Sequence, residues 1–111
     1  MVVEIGYHSE FARQLKQLSK KYPSIKEDYA IFLNSLLSNP LQGVDLGTGV
    51  RKIRLAIKSK ERGKSGGARV ITYNVEETEN ETLFITLLTI YDKSEISNVS
   101  DSYIKQLVAT I

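Results

Sequence analysis

Lysine and arginine crowd the stretch RKIRLAIKSKERGKSGGAR, Arg51 to Arg69, which holds eight of the fifteen basic residues and a single acid, Glu61. The stretch is therefore +7 inside a chain of net charge +2, and the other ninety-two residues sum to −5. Such side chains supply positive charge and hydrogen-bond donors, so the chemistry they fit is the holding of phosphate groups. A field of one sign on a short segment attracts polyanions far more strongly than the net charge implies, and the expected partner is RNA or DNA. Around Lys52, Arg54 and Lys58 the acids that normally intersperse a solvated strand face are missing, which favours function over mere solvation there. Other chemistries find little support. No cysteine is present for a disulfide or a thiolate metal site, and the one histidine, His8, sits near a helix start, where a structural role is expected. No paired-carboxylate site, Ser-His-Asp arrangement or metal cluster is legible, so neither metal nor cofactor is expected. Gly63-Lys64-Ser65 lacks the earlier glycine of a phosphate-cradling P-loop, Lys58 standing in its place, and a strand pattern follows instead of a helix.

The elements that must position these cations follow from periodicity. Ile53, Leu55 and Ile57 alternate with Lys52, Arg54, Ala56 and Lys58, the period of a half-buried strand with one apolar and one basic face. SKERGKSGG reads as a loop, and ARVITYNV, Ala68 to Val75, as a second strand, giving a β-hairpin with a long basic tip. Before it, Val2, Val3 and Ile5 suit a short strand, and Ser9 can cap a helix with Phe11, Leu15 and Leu18 on one face. Pro23 ends that helix. Ser24 with Glu27 forms a capping box for a second, carrying Ile25, Tyr29, Phe32, Leu33, Leu36 and Leu37 until Asn39-Pro40. GVDLGTG reads as a connection into the hairpin, and EETENET separates its second strand from LFITLLTIY. That run, Leu83 to Tyr91, is apolar at nearly every position and should lie central in the sheet, covered on both faces. Asp92 to Ser100 is a polar connection, and Asp101 to Ile111 a short amphipathic helix with Tyr103, Ile104, Leu107 and Val108.

At 111 residues and 41% hydrophobic content the chain is expected to be one domain, residues 1–111, with one core. The expected class is α+β, a helical hairpin packed on one face of a small, mainly antiparallel sheet whose other face is left available. No apolar run approaches membrane-spanning length and the N-terminus does not read as a signal peptide. A soluble protein of the reducing cytoplasm, with no membrane partner, is expected.

In order and in wording, the blocks RKIRLAIKSK, GKSGGARVI and LLTIYDKSEISN resemble the RelE/HigB toxins of bacterial toxin-antitoxin modules, members of the RelE/ParE superfamily. The similarity spans nearly the whole chain, and three separated blocks are more specific together than any one. The resemblance implies a single RelE/HigB-like toxin domain that inhibits translation as an mRNA interferase, an endoribonuclease needing no metal. It also implies messenger RNA on the ribosome as substrate and a cognate antitoxin, of helix-turn-helix type, as partner. Cleavage through the 2′-hydroxyl needs a base for that hydroxyl, positive charge beside the phosphorane and an acid for the leaving oxygen, which relatives supply with lysine and arginine. Carried onto this chain, the catalytic positions are Lys52, Arg54, Arg69 and Lys93. Lys58, Lys60, Arg62 and Lys64 are then RNA-binding, and Tyr91 stands in for a stacking tyrosine, because Val99 occupies the position where several relatives have one. The C-terminal histidine of some HigB relatives is absent.

Structural alternatives stand beside these assignments. Arg69 could pair with a carboxylate such as Asp92, Lys60, Arg62 and Lys64 could be solvated loop charges, and Tyr73 and Tyr91 could be core aromatics. Two other functions also fit the chain, a ParE-like inhibitor of DNA gyrase and a basic RNA-binding module without catalysis.

Overall fold

Both periodicities resolve into regular elements: β1 (Val2–Tyr7), α1 (Ser9–Lys21), α2 (Ile25–Ser38), β2 (Val44–Gly47), β3 (Val50–Leu55), β4 (Ala68–Glu77), β5 (Thr82–Asp92) and α3 (Asp101–Ala109). The structure is a computed structural model and describes residues 1–60 and 66–111. Among these residues the strands form one five-stranded sheet in the order β1-β5-β4-β3-β2, with β1 parallel to β5 and the other pairs antiparallel. The α+β class, the helical pair and the central place of LFITLLTIY are as expected. Phe11, Leu18, Ile25, Phe32 and Leu36 of the two helices pack on Ile53, Leu55, Val70, Leu83, Ile85, Leu87 and Ile90 of the sheet.

The second face is less open than expected. There α3 lays Ile104 and Leu107 over Val50, Ile71, Leu88 and Tyr91, because a central strand that is apolar on both sides must be covered on both sides. The alternation of β5 is also shifted midway. Ile71 pairs with Thr89 while Thr72 pairs with Leu87, so Leu88 is an extra, bulged residue. Leu83, Ile85 and Leu87 face the helical pair before the bulge and Ile90 faces it afterwards, which sends Leu88 and Tyr91 to the α3 side.

Three local expectations are corrected. GVDLGTG is more than a connection: Val44 and Asp45 pair with Lys52 and Arg51, making β2 an edge strand, and Arg51 secures it by donating to the Gln42 and Gly43 carbonyls. His8, rather than Ser9, caps α1, its Nδ1 accepting the Glu10 amide at 3.0 Å, and its Nε2 lies 2.8 Å from Thr110 Oγ1 beyond α3. Ser24 precedes α2 without forming the capping box; its hydroxyl donates to Asp28 at 2.6 Å and accepts the Ser59 amide at 2.8 Å, tying α2 to the segment after β3.

Gly67, at the entry to β4, has φ +75°, and a Cβ built there would stand 2.3 Å from the Leu55 carbonyl oxygen. Any side chain would push β3 and β4 apart at that point. Gly67→Ala is therefore expected to cost about 1–3 kcal/mol, read as a lower midpoint in urea unfolding; an unchanged midpoint would contradict the close approach.

Candidate functional site

Alternation along β3 buries Ile53 and Leu55 under the helical pair and turns Lys52 and Arg54 to the face shared with Val50. In the ladder Arg54 stands opposite Arg69, and Arg69 opposite Tyr91. One row thus runs Arg54, Arg69, Tyr91 across three adjacent strands. Lys52 lies one step before that row on β3, and Lys93 follows it on the β5 side, with its amide 3.3 Å from the Gly67 carbonyl. Of the four positions carried over as catalytic, the ladder thus puts Lys52, Arg54 and Arg69 on one face, and the backbone of Lys93 lies beside Gly67 at the end of that face.

Like charges directly opposite each other in a ladder destabilise it, yet Arg54 and Arg69 face each other. Their guanidinium groups converge on one acceptor, the Gly66 carbonyl oxygen, from Arg54 Nε at 3.3 Å and from Arg69 Nη1 at 3.1 Å. Among the described residues no carboxylate lies within ion-pair distance of Lys52, Arg54, Lys58, Arg69 or Lys93. The arginine pair thus presents concentrated donors to a multivalent anion. The alternative pairing of Arg69 with Asp92 does not occur. Asp92 is the ladder partner of Ala68, so its side chain leaves β5 on the side opposite Tyr91 and Arg69.

Asp92 instead collects Lys60, which corrects the placing of Lys60 among RNA contacts. Lys60 Nζ lies 2.8 Å from Asp92 Oδ1 and its side chain is only 13% exposed, so it is committed to the protein. Tyr22 donates to the same carboxylate at 2.6 Å, Ser94 donates through its amide and hydroxyl, and Lys21 stands 3.7 Å away. Lys58 is exposed, with its side chain available. Arg62 and Lys64 lie outside the described residues.

Tyr91 is 5% exposed and packed under α3, which corrects its assignment as a stacking platform. Burial pushes its phenol up and the Arg69 charge opposes that shift, so it stays neutral; among the described residues its hydroxyl has no partner. Val99 packs against the same cluster. Sequence reasoning missed Gln14, whose Oε1 accepts the Thr89 hydroxyl at 2.7 Å and the Ile90 amide at 2.9 Å where β1 no longer pairs with β5. It also missed the weight carried by Asp92, for which an acid closing an otherwise apolar strand was the available signal. Among the described residues no three His, Asp or Glu side chains gather as metal ligands.

Burial alone would raise the Asp92 carboxyl, but hydrogen bonds from Lys60, Tyr22 and Ser94 outweigh it and hold the group well below the usual carboxylate range. Its folded value is therefore the lower one, so its contribution to stability is complete above the ordinary aspartate value of 3.8 and is lost as pH falls below it. The melting temperature is expected to fall through that acid range by more in the wild type than in Asp92→Asn; parallel curves would remove Asp92 as the cause.

No family model matches the chain. Among solved structures, a doubly substituted mutant of the E. coli toxin RelE in the free state is similar over 100% of this chain and 99% of that one, with a TM-score of 0.56 and 18% identity. At that identity the likeness is one of fold: among the described residues three helices lie on a mixed five-stranded sheet, the α+β fold of the RelE toxin.

Proposed function

We propose that this chain is a single-domain toxin of a toxin-antitoxin module, of RelE/HigB type, acting in the cytoplasm as a metal-independent endoribonuclease on ribosome-bound messenger RNA. The observation that carries the reading is the arginine pair, Arg54 opposite Arg69 without a neutralising carboxylate among the described residues, flanked along the chain by Lys52 on one side and Lys93 on the other. Attack of a 2′-oxygen on phosphorus expels the 5′-oxygen from the opposite side, so proton acceptor and proton donor belong on opposite sides of the phosphate. A phosphate held by Arg54 and Arg69 in place of the Gly66 carbonyl would have Lys52 and Lys93 arranged in that way. The guanidinium groups stay charged and hold two phosphoryl oxygens as charge builds on them. Lys58 serves as a phosphate contact. A cognate antitoxin of helix-turn-helix type, opposing the basic face, is the proposed protein partner.

Arg69→Ala is expected to lose roughly two to four orders of magnitude in single-turnover cleavage of ribosome-bound message, the range for removing one transition-state donor, with the melting temperature nearly unchanged. Arg69→Lys should recover only part. Near-normal cleavage by the folded Ala variant would place the chemistry elsewhere, and binding without any cleavage by the wild type would leave a non-catalytic RNA-binding module. Capture of DNA gyrase with RNA left intact would instead support the ParE-like alternative.

Docking through about six phosphates would weaken RNA affinity by on the order of a thousandfold between about 50 and 200 mM salt. Titrations at several salt concentrations measure the slope, and a flat response would show that charge is not the docking device.

A further inference from the structure

The Asp92 side chain is fully enclosed, at 0% exposure, and its two oxygens receive Lys60 at 2.8 Å, Tyr22 at 2.6 Å, and the Ser94 hydroxyl and amide at 2.7 and 2.9 Å. Its backbone carbonyl accepts the Glu95 and Ile96 amides, each at 3.0 Å, and so closes the turn that carries Lys93. The Lys93 amide then docks that turn on Gly67, the neighbour of the carbonyl on which both guanidinium groups converge. One carboxylate thus fastens the end of α1, the segment after β3 and the turn after β5, and the last of these carries Lys93.

Stability alone is a poor reason for this arrangement. A buried ion pair can often be replaced by apolar side chains without loss, and Asp92 borders an apolar core where such a replacement would have neighbours. Directional bonds do two things that an apolar side chain would not. They set the position of Lys93 relative to Gly66 and Gly67, and they withdraw Lys60 from the field, while Lys52, Arg54, Lys58, Arg69 and Lys93 have no carboxylate within ion-pair distance among the described residues. We propose that Asp92 is the positioning residue of the basic face, an inference that rests on the RNA-cleaving function proposed above.

The test compares wild type, Asp92→Asn and the milder Ser94→Ala, which removes one hydroxyl from an exposed residue and keeps the question answerable should Asp92→Asn fail to fold. Single-turnover cleavage of ribosome-bound message at saturating protein is expected to slow about 10- to 100-fold in Asp92→Asn and about three- to tenfold in Ser94→Ala. Affinity for a single-stranded oligonucleotide that is 2′-deoxy at the cleavage position should change less than about threefold, since the phosphate contacts remain. Native-state hydrogen exchange should quicken at least about tenfold at the Lys93, Glu95 and Ile96 amides and stay unchanged along the β4–β5 ladder. Wild-type cleavage rates in the folded variants, or affinity falling in step with rate, would overturn the proposal. If the wild type itself leaves message intact, the RNA-cleaving reading fails, and exchange alone decides the positioning: uniform or unchanged exchange overturns it, and local quickening upholds it.

Discussion

Burial of β5 on both faces is the constraint from which the rest of the architecture follows. An apolar strand between β1 and β4 needs the helical pair on one side and α3 on the other. The extra residue at Leu88 then decides which side chain faces which layer. Without it, Tyr91 would share a face with Leu83, Ile85 and Leu87 and would not meet Arg69. With it, Tyr91 joins the arginine row and Asp92 points the other way, towards Tyr22 and Lys60. A one-residue insertion thus separates a cationic face from the carboxylate that would otherwise quench it.

That separation also explains how a charge-dense hairpin remains foldable. The opposed arginines oppose folding by on the order of 0.2–1 kcal/mol as a cross-strand pair. Their shared acceptor, the Gly66 carbonyl, and the satisfied ion pair on the opposite side of the sheet work against that cost. The close approach at Gly67 fixes where Gly66 sits, so the conformational demand of a single glycine is transmitted to both guanidinium groups. Backbone geometry and electrostatics are coupled there, and neither makes sense without the other.

Much of the fold was legible because it rests on local periods: helical spacing from Phe11 to Leu18 and from Ile25 to Leu36, and alternation from Lys52 to Leu55. What was hidden depends on contacts distant in sequence. β2 is a strand only because β3 lies beside it, since its own residues, Val44–Gly47, read as a connection. Histidine at a helix start was recognised as structural, but its second nitrogen meets Thr110 after almost the whole chain has intervened. Lys52, Arg54 and Arg69 share one face because alternation and the ladder place them there, and Lys93 follows the end of β5, its amide on the Gly67 carbonyl. Lys60 was misread since its partner lies thirty-two residues away, and Tyr91 because a bulge leaves no mark in a run that is apolar at nearly every position.

Charge is segregated along the same hairpin that carries the row. Arg69 and Lys93 stand at one end of β4 and β5, while Glu76, Glu77, Glu79 and Glu81 stand at the other, and from Val70 to Tyr91 there is no lysine or arginine. Ten residues of strand at about 3.4 Å each put roughly 30 Å between the two ends, several times the screening length of about 8 Å at physiological ionic strength. At that distance the acidic end does not neutralise the basic one. A polyanion near the arginine row would meet a cationic field that the distant acids do not offset, and the far end would repel it, so any such encounter would be oriented before contact. The net charge of +2 therefore describes neither end. The length of the β4–β5 hairpin acts as a spacer between two fields of opposite sign, a separation that the packing of the strands alone does not require.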